Sequence, residues 1–199
     1  GFINVLRDHS IHADFELDSY TLAVTSEHGT STPLTDTHSS VPAWTFLSSS
    51  VDGSPETHGT TQYVCTGWTG TGSFPLNGIN TAVNITITNN SSIIWNWITR
   101  YWVQSSAGPN GTIDGSNAWY DAGSVITITA TPSDSYHRFG FWTGDVPSDR
   151  TNSNPLRLSM DQSRTMAASF VTNEPALLID SLHGVPTPAV GISSGEYGR

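Results

Sequence analysis

The sequence contains no lysine, and this absence excludes several kinds of chemistry. A lysine Schiff base, a lysine that binds phosphate and a Lys–Asn isopeptide crosslink within the chain are all ruled out. The seven arginines are scattered, and the formal net charge is −10. Because nucleic acids and anionic membrane surfaces attract basic patches, neither is expected as a partner of this acidic chain.

Cysteine is nearly absent as well, since Cys65 is the only one in the sequence. A disulfide within the chain is therefore excluded. Cys65 stands in an apolar stretch, so we expect a small buried side chain, with a nucleophile or an interchain bridge as the alternatives. No apolar run approaches the roughly 20 residues of a membrane-spanning helix.

Charged residues are also scarce, at 12% of the chain. The polar surface must then come from serine, threonine, asparagine and glycine. Together with many β-branched residues and turn formers, this composition predicts an all-β protein.

Two short segments that share the sequence Trp-Thr-Gly organise the chain. They are Cys65-Thr-Gly-Trp68-Thr-Gly70 and Phe139-Gly-Phe141-Trp142-Thr-Gly144, and the two tryptophans are 74 residues apart. We interpret Trp68 and Trp142 as core residues of two sister units, and each Trp-Thr-Gly as a turn that ends at Gly70 or Gly144. The core of the second unit is predicted to include Phe139, Phe141 and Phe170.

A second repetition has a longer period. Residues 22–33 align without gaps on residues 177–188, with six identical positions among twelve. The offset is 155 residues, and it places His28-Gly29 on His183-Gly184, which we interpret as equivalent turns. At the same offset Ala13 and Phe15 fall on Ala168 and Phe170. Because Ile11, Ala13 and Phe15 alternate with polar residues, they predict a half-buried strand, with Phe15 in a core.

An ordered set of short segments in the second half resembles a known family. The set is Gly111-Thr-Ile113, Ala122-Gly-Ser-Val125-Ile-Thr-Ile-Thr-Ala130-Thr-Pro132, Phe139-Gly-Phe-Trp142-Thr-Gly-Asp145, Asn154-Pro-Leu156-Arg-Leu158-Ser-Met160-Asp161 and Ala168-Ser-Phe170. It is similar to the divergent internalin-type B-repeat of bacterial surface proteins over residues 101–171. Residues 17–100 match more loosely, and residues 38–60 depart from the pattern. The resemblance implies small β-grasp-like or β-sandwich modules, repeated in tandem and displayed at a bacterial surface, with no catalytic residues to transfer.

These repetitions predict four segments. Residues 17–100 form the first unit and residues 101–171 the second. Residues 1–16 correspond to the terminal strands of a preceding repeat, and residues 172–199 to the start of a following one. Incomplete units leave strand edges that pair readily with another chain, so we expect self-association with neighbouring copies or repeats.

Metal and catalytic sites are not expected. His9 and His12 lie three residues apart, which on a strand places them on opposite faces. No dense Asp-x-Asp loop for calcium and no Gly-x-Ser-x-Gly nucleophile segment is present. A carboxylate pair for glycoside hydrolysis stays open, because sequence spacing does not report distance in space. No cofactor is implied.

The seven tryptophans leave one binding hypothesis open. Trp44 and Trp119 are the candidates for exposed aromatic side chains that stack on sugars, which makes surface glycans an alternative partner. The favoured function is structural: a repeat segment of a secreted or cell-surface bacterial protein that forms a stalk, fibre or array. An adhesin or carbohydrate-binding module is the alternative.

Overall fold

The computed structural model describes residues 12–115, 117–173, 176–179, 183 and 191–194. Every regular element among these residues is a β-strand, so the all-β prediction is confirmed. Contacts divide the chain into unit 1 (Gly1–Glu56 and Tyr63–Ile98) and unit 2 (Thr57–Gln62 and Thr99–Arg199).

The strands follow one another at short intervals, as expected for a chain rich in turn formers. The first nine are β1 (Ser19–Ser26), β2 (Thr30–Thr32), β3 (Asp36–Pro42), β4 (Phe46–Asp52), β5 (Glu56–His58), β6 (Thr61–Thr71), β7 (Asn77–Gly78), β8 (Ala82–Thr86) and β9 (Ser91–Ala107). The others are β10 (Gly111–Asp114), β11 (Ala118–Asp121), β12 (Val125–Pro132), β13 (His137–Gly144), β14 (Leu156–Ser159), β15 (Arg164–Thr172), β16 (Ala176–Ile179) and β17 (Gly191–Ser194).

Unit 1 contains two groups of paired strands. In the first group, β1 pairs antiparallel with β3 and parallel with the first part of β9, which also pairs with β6. In the second group, β4 pairs antiparallel with β2 on one side and β8 on the other. Residues in β1 and β8 alternate between buried and exposed, which is the pattern of strands with one face on a core.

Unit 2 repeats the same pattern of pairing. The second part of β9 pairs antiparallel with β11 and parallel with β15, which also pairs antiparallel with β13. β12 pairs antiparallel with β10 and β14. Each strand from the second part of β9 to β15 therefore has a counterpart of the same connectivity in unit 1, and the chain passes from one unit to the other within β9.

Each unit has its own apolar core. The core of unit 1 is formed by Leu22, Val24, Val51, Trp68, Phe74, Ile85, Ile87, Ile93 and Trp95. The core of unit 2 is formed by Val103, Ile126, Ile128, Ala130, Trp142, Leu156, Leu158, Met160, Met166 and Ala168. Two cores of this kind are what two separately folded β modules require.

The predicted strand around Phe15 is wrong. Residues 12–18 have no strand assignment, and the Phe15 side chain is 94% exposed. Its counterpart at the offset of 155, Phe170, lies in β15 between β9 and β13 and packs on the unit 2 core. Phe15 has no such neighbouring strands among the described residues. The alternation of apolar and polar residues around Phe15 is therefore not enough to form a strand.

The prediction that each Trp-Thr-Gly is a turn is also wrong, because both segments lie within strands. Trp68 and Gly70 are inside β6, and Trp142 and Gly144 are inside β13. Gly70 is needed for another reason: a Cβ there would lie 2.5 Å from the Cβ of Phe74. The chain returns so close to β6 that a side chain has no room.

Candidate functional site

Trp142 is the centre of unit 2 and is 1% exposed. Its indole Nε1 donates to the carbonyl of Ser153 at 2.8 Å, and its backbone N–H donates to the carbonyl of Thr151 at 2.7 Å. The indole therefore fills the core, and the side chain and backbone of Trp142 together fix the loop that connects β13 to β14.

A β-bulge decides which neighbours of Trp142 reach the core. The pairing of β13 with β15 shifts between Phe139 and Phe141. Because of the extra residue, Phe139 lies on the same core-facing side of β13 as Trp142, three positions away. The centroids of the two rings are 5.5 Å apart. Phe141 is turned outward and is 45% exposed, so its predicted place in the core is wrong. Phe170 is half-buried and its ring covers Gly111, where a Cβ would lie 2.1 Å from the ring.

Trp68 occupies the equivalent position of unit 1 and is held differently. It is 4% exposed, and its indole N–H has no hydrogen-bond partner among the described residues. A Cβ on Gly78 would lie 2.5 Å from the Trp68 ring, so the indole lies against the bare backbone of β7. The tryptophan is common to the two units, whereas its surroundings are not.

The most regular feature shared by the units is the contact between first and last strands. In unit 1 five residues of β1, from Leu22 to Ser26, pair in parallel with Ser91–Trp95 of β9. In unit 2 five residues of β9, from Val103 to Ala107, pair in parallel with Arg164–Ala168 of β15. Parallel neighbours at the two ends of a unit require the chain to cross the fold between them, which no hairpin can do.

The turn at His28 and Gly29 joins β1 to β2 through a small aromatic and ionic cluster. The His28 ring stacks on Tyr63 with centroids 3.6 Å apart, and it meets Trp97 edge-on at 5.6 Å. Glu56 Oε2 accepts a hydrogen bond from the Gly29 N–H at 2.9 Å and lies 3.6 Å from His28 Nδ1. Gly29 has φ of 67°, a conformation that suits glycine. Of the equivalent pair, His183 is exposed and Gly184 lies outside the described residues.

Trp44 is the most exposed tryptophan among those described, at 72%. Its backbone N–H donates to the carbonyl of Ile87 at 2.7 Å, and it adopts φ of 66°. A non-glycine residue in this left-handed region is held there by its surroundings, and such positions are enriched at functional sites.

Glycine is expected to suit this position better than alanine. Left-handed backbone costs an L-residue about 1–2 kcal/mol, which glycine avoids. Trp44→Gly should therefore leave unit 1 about 1 kcal/mol more stable than Trp44→Ala, as measured by urea unfolding. Equal stability of the two variants would show that Trp44 is not strained.

Trp119 is half-buried rather than fully exposed, because it pairs across the sheet with Trp102. The two rings meet edge-on with centroids 5.3 Å apart. Beside them, Arg100 Nε donates to Asp121 Oδ1 at 2.6 Å. Cross-strand aromatic and ionic pairs of this kind stabilise a sheet, so part of the Trp119 surface already has a structural role.

Asp134 and His137 form the turn before β13, with Asp134 Oδ1 2.7 Å from His137 Nδ1. This hydrogen bond lowers the pKa of Asp134 from its ordinary value of 3.8. Because the pKa of Asp134 is lower in the folded protein, its hydrogen bond with His137 stabilises the fold above the ordinary pKa. This stabilisation is lost as the pH falls through the folded pKa. We expect NMR titration to give Asp134 a pKa below 3.8, and His137→Ala to raise it. An unchanged pKa in the variant would contradict this assignment.

Metal-ligand side chains do not converge in the described part of the chain. Within it, no three His, Cys, Asp or Glu side chains group as metal ligands. No helix in that part is long and apolar enough to cross a membrane. Cys65 is half-buried and packs beside the unit 1 core. It stands three residues before Trp68 in the sequence, as Phe139 stands three residues before Trp142.

The repeated Trp-centred unit has a counterpart among known families. Residues 101–174 match the model of the divergent InlB B-repeat domain. The match confirms the resemblance seen in the sequence and covers most of the described part of unit 2. B-repeats of this family occur in bacterial surface proteins. Comparisons with curated proteins and with solved structures gave no significant match.

Two features of the structure, the cluster around His28 and the parallel strand pairing, were not predicted from the sequence. The contacts of His28 with Glu56 and Tyr63 join residues 28 and 35 positions apart, and no pattern marks them. The parallel pairing of first and last strands also has no local signal. The Trp-Thr-Gly repetition in the sequence gives the spacing of the two units but not the order of their strands.

Proposed function

We propose that this chain is a structural repeat segment of a secreted or cell-surface bacterial protein, in which tandem β units form a stalk or fibre that resists tension. The similarity of residues 101–174 to B-repeats supports the bacterial surface setting. The observation that carries the mechanical role is the parallel pairing of first and last strands, which occurs in both units.

The direction of pulling explains why this pairing matters. Tension along the chain enters a unit at the start of its first strand and leaves at the end of its last strand. Because the two strands are parallel neighbours, these points lie at opposite ends of the pair. The strands must then slide past each other, so the bonds between them share the force and break together. A hairpin pulled from one end opens bond by bond at lower force.

The strand β9 extends this argument from one unit to the next. Its residues Ser91–Trp95 form the last-strand pairing of unit 1, and its residues Val103–Ala107 form the first-strand pairing of unit 2. Tension that leaves unit 1 therefore enters unit 2 within one strand. Self-association of copies end to end belongs to the same proposal, and its physical basis is that strand edges without a partner pair readily with another chain.

Single-molecule stretching of the chain between its termini tests the proposal. We expect two separate rupture events, one for each unit. At about 3.6 Å per extended residue, each unit releases roughly 250 Å of chain. Light scattering and electron microscopy on the same protein test for end-to-end assembly. Unfolding of both units without a resolvable force peak would contradict the mechanical role.

A carbohydrate-binding function is the second candidate, and the exposure of Trp44 at a positive φ favours it. An exposed indole face held by a fixed backbone is suited to stacking on a neutral sugar ring. A glycan array with the unaltered chain, Trp44→Ala and Trp119→Ala tests this role. Binding that is lost in Trp44→Ala while the fold is retained would support it, and no binding to any glycan would remove it.

A further inference from the structure

The two strands near the C-terminus reproduce the pairing of the first and third strands of unit 1. β16 pairs antiparallel with β17 through Leu177↔Ser193, Leu178↔Ile192 and Ile179↔Gly191. β1 pairs antiparallel with β3 through Leu22↔His38, Ala23↔Thr37 and Val24↔Asp36. Each of these three pairs is displaced from its counterpart by 155 residues on both strands, which is the offset of the sequence repetition.

This agreement in register is not imposed by a tight turn. Val24 and Asp36 are joined by residues 25–35, and Ile179 and Gly191 by residues 180–190, so the connections are equally long. A tight hairpin turn would fix the register by its geometry, but a connection of this length leaves many registers open. The shared register therefore comes from the shared sequence pattern.

In unit 1 the strand equivalent to β16 is paired on both sides. β1 has β3 on one side and Ser91–Trp95 of β9 on the other, and its Leu22 and Val24 are each 2% exposed. Leu177 and Ile179 are the apolar residues at the equivalent positions of β16. Among the described residues β16 pairs with β17 alone.

From this we infer that β16 and β17 are the first hairpin of a further unit of the unit 1 type, whose partner is a parallel strand of the Ser91–Trp95 type. Such a strand carries apolar side chains at alternate positions, as Ile93 and Trp95 do in unit 1, where both are buried. The repeating element is then a pair of units of 155 residues, in which unit 1 and unit 2 types alternate. The inference rests on the proposed repeat function and names the strand that pairs with β16.

A chain extended by its own sequence tests this assignment. At the offset of 155, Arg199 corresponds to Trp44, so a copy of residues 45–98 is appended directly after Arg199. The appended Ser91–Trp95 segment then stands where the hairpin requires its parallel partner. Hydrogen exchange of backbone amides in β16 and β17 is measured in the original and the extended chains. We expect exchange to slow at least 100-fold on extension.

Two further measurements keep the outcome decisive. In the control, Ile93→Asp and Trp95→Asp are introduced only in the appended copy, and the slowing should disappear. If the extended chain is insoluble, a synthetic peptide of residues 89–98 is added to the original chain, and a scrambled peptide serves as its control. Unchanged exchange, or equal slowing with the controls, would overturn the inference. The stretching experiment on units 1 and 2 does not depend on this hairpin, so the two proposals can fail separately.

Discussion

Replacement of Trp142 by alanine is expected to unfold unit 2. The side chain is 1% exposed, contacts the apolar core and donates its indole N–H to Ser153. Truncation of a buried tryptophan costs about 3–5 kcal/mol, which is a large part of the stability of a small domain. The effect is measured by hydrogen exchange of amides in β12, β13 and β15, with those of β1 and β4 as the internal reference.

Phe141→Ala is the matched control for this substitution. Phe141 is the neighbour of Trp142 on the same strand, but it is turned outward and 45% exposed. We expect a cost of about 1 kcal/mol or less, because exposed positions contribute little. If the two substitutions destabilised unit 2 equally, the claim that the bulge in β13 turns Phe141 away from the core would be wrong.

Gly144→Ala should be the second large effect, because the backbone of a neighbouring strand occupies the space for a side chain. Gly144 has φ of 89°, and a Cβ there would lie 2.3 Å from the carbonyl oxygen of Thr165. The conformation alone costs alanine about 1–2 kcal/mol. The overlap adds about 1–3 kcal/mol more, because a paired strand moves only with distortion. Urea unfolding of the variant gives the total.

Gly123 provides a control of nearly the same backbone conformation in the same unit. Its φ is 80°, but apart from its two chain neighbours no atom of the described residues lies within 4 Å of where its Cβ would be. Gly123→Ala should therefore cost about 1–2 kcal/mol, the conformational part alone. A loss for Gly144→Ala no greater than for Gly123→Ala would show that β13 and β15 are farther apart than described.

The all-β class and the two tryptophan-centred segments were readable from the sequence, because composition and short-range alternation report them directly. In β12, for example, Ile126, Ile128 and Ala130 are buried while Val125 and Thr127 are exposed, as the alternation predicts. The resemblance of residues 101–171 to B-repeats rested on the same local segments and is confirmed.

The errors arose where tertiary contacts override the local pattern. Phe141 looked equivalent to Phe139, but the bulge in β13 turns it outward. Phe15 followed the alternation of a buried strand, yet it lacks neighbouring strands among the described residues. The parallel pairing of first and last strands joins residues about 70 positions apart and depends on the path of the whole chain. Sequence periodicity contains no information on such pairing.

The central claim is that parallel pairing of first and last strands makes each unit resist tension along the chain. It is tested most directly by stretching unit 2 in two directions. In a Cys65→Ser chain, cysteines at Thr99 and Thr172 pull β9 against β15 along the strands. Cysteines at Tyr136 and Thr172 pull β13 from β15 at one end, because His137 pairs with Thr172. We predict a rupture force several-fold higher for the first direction. Equal forces in the two directions would contradict the claim.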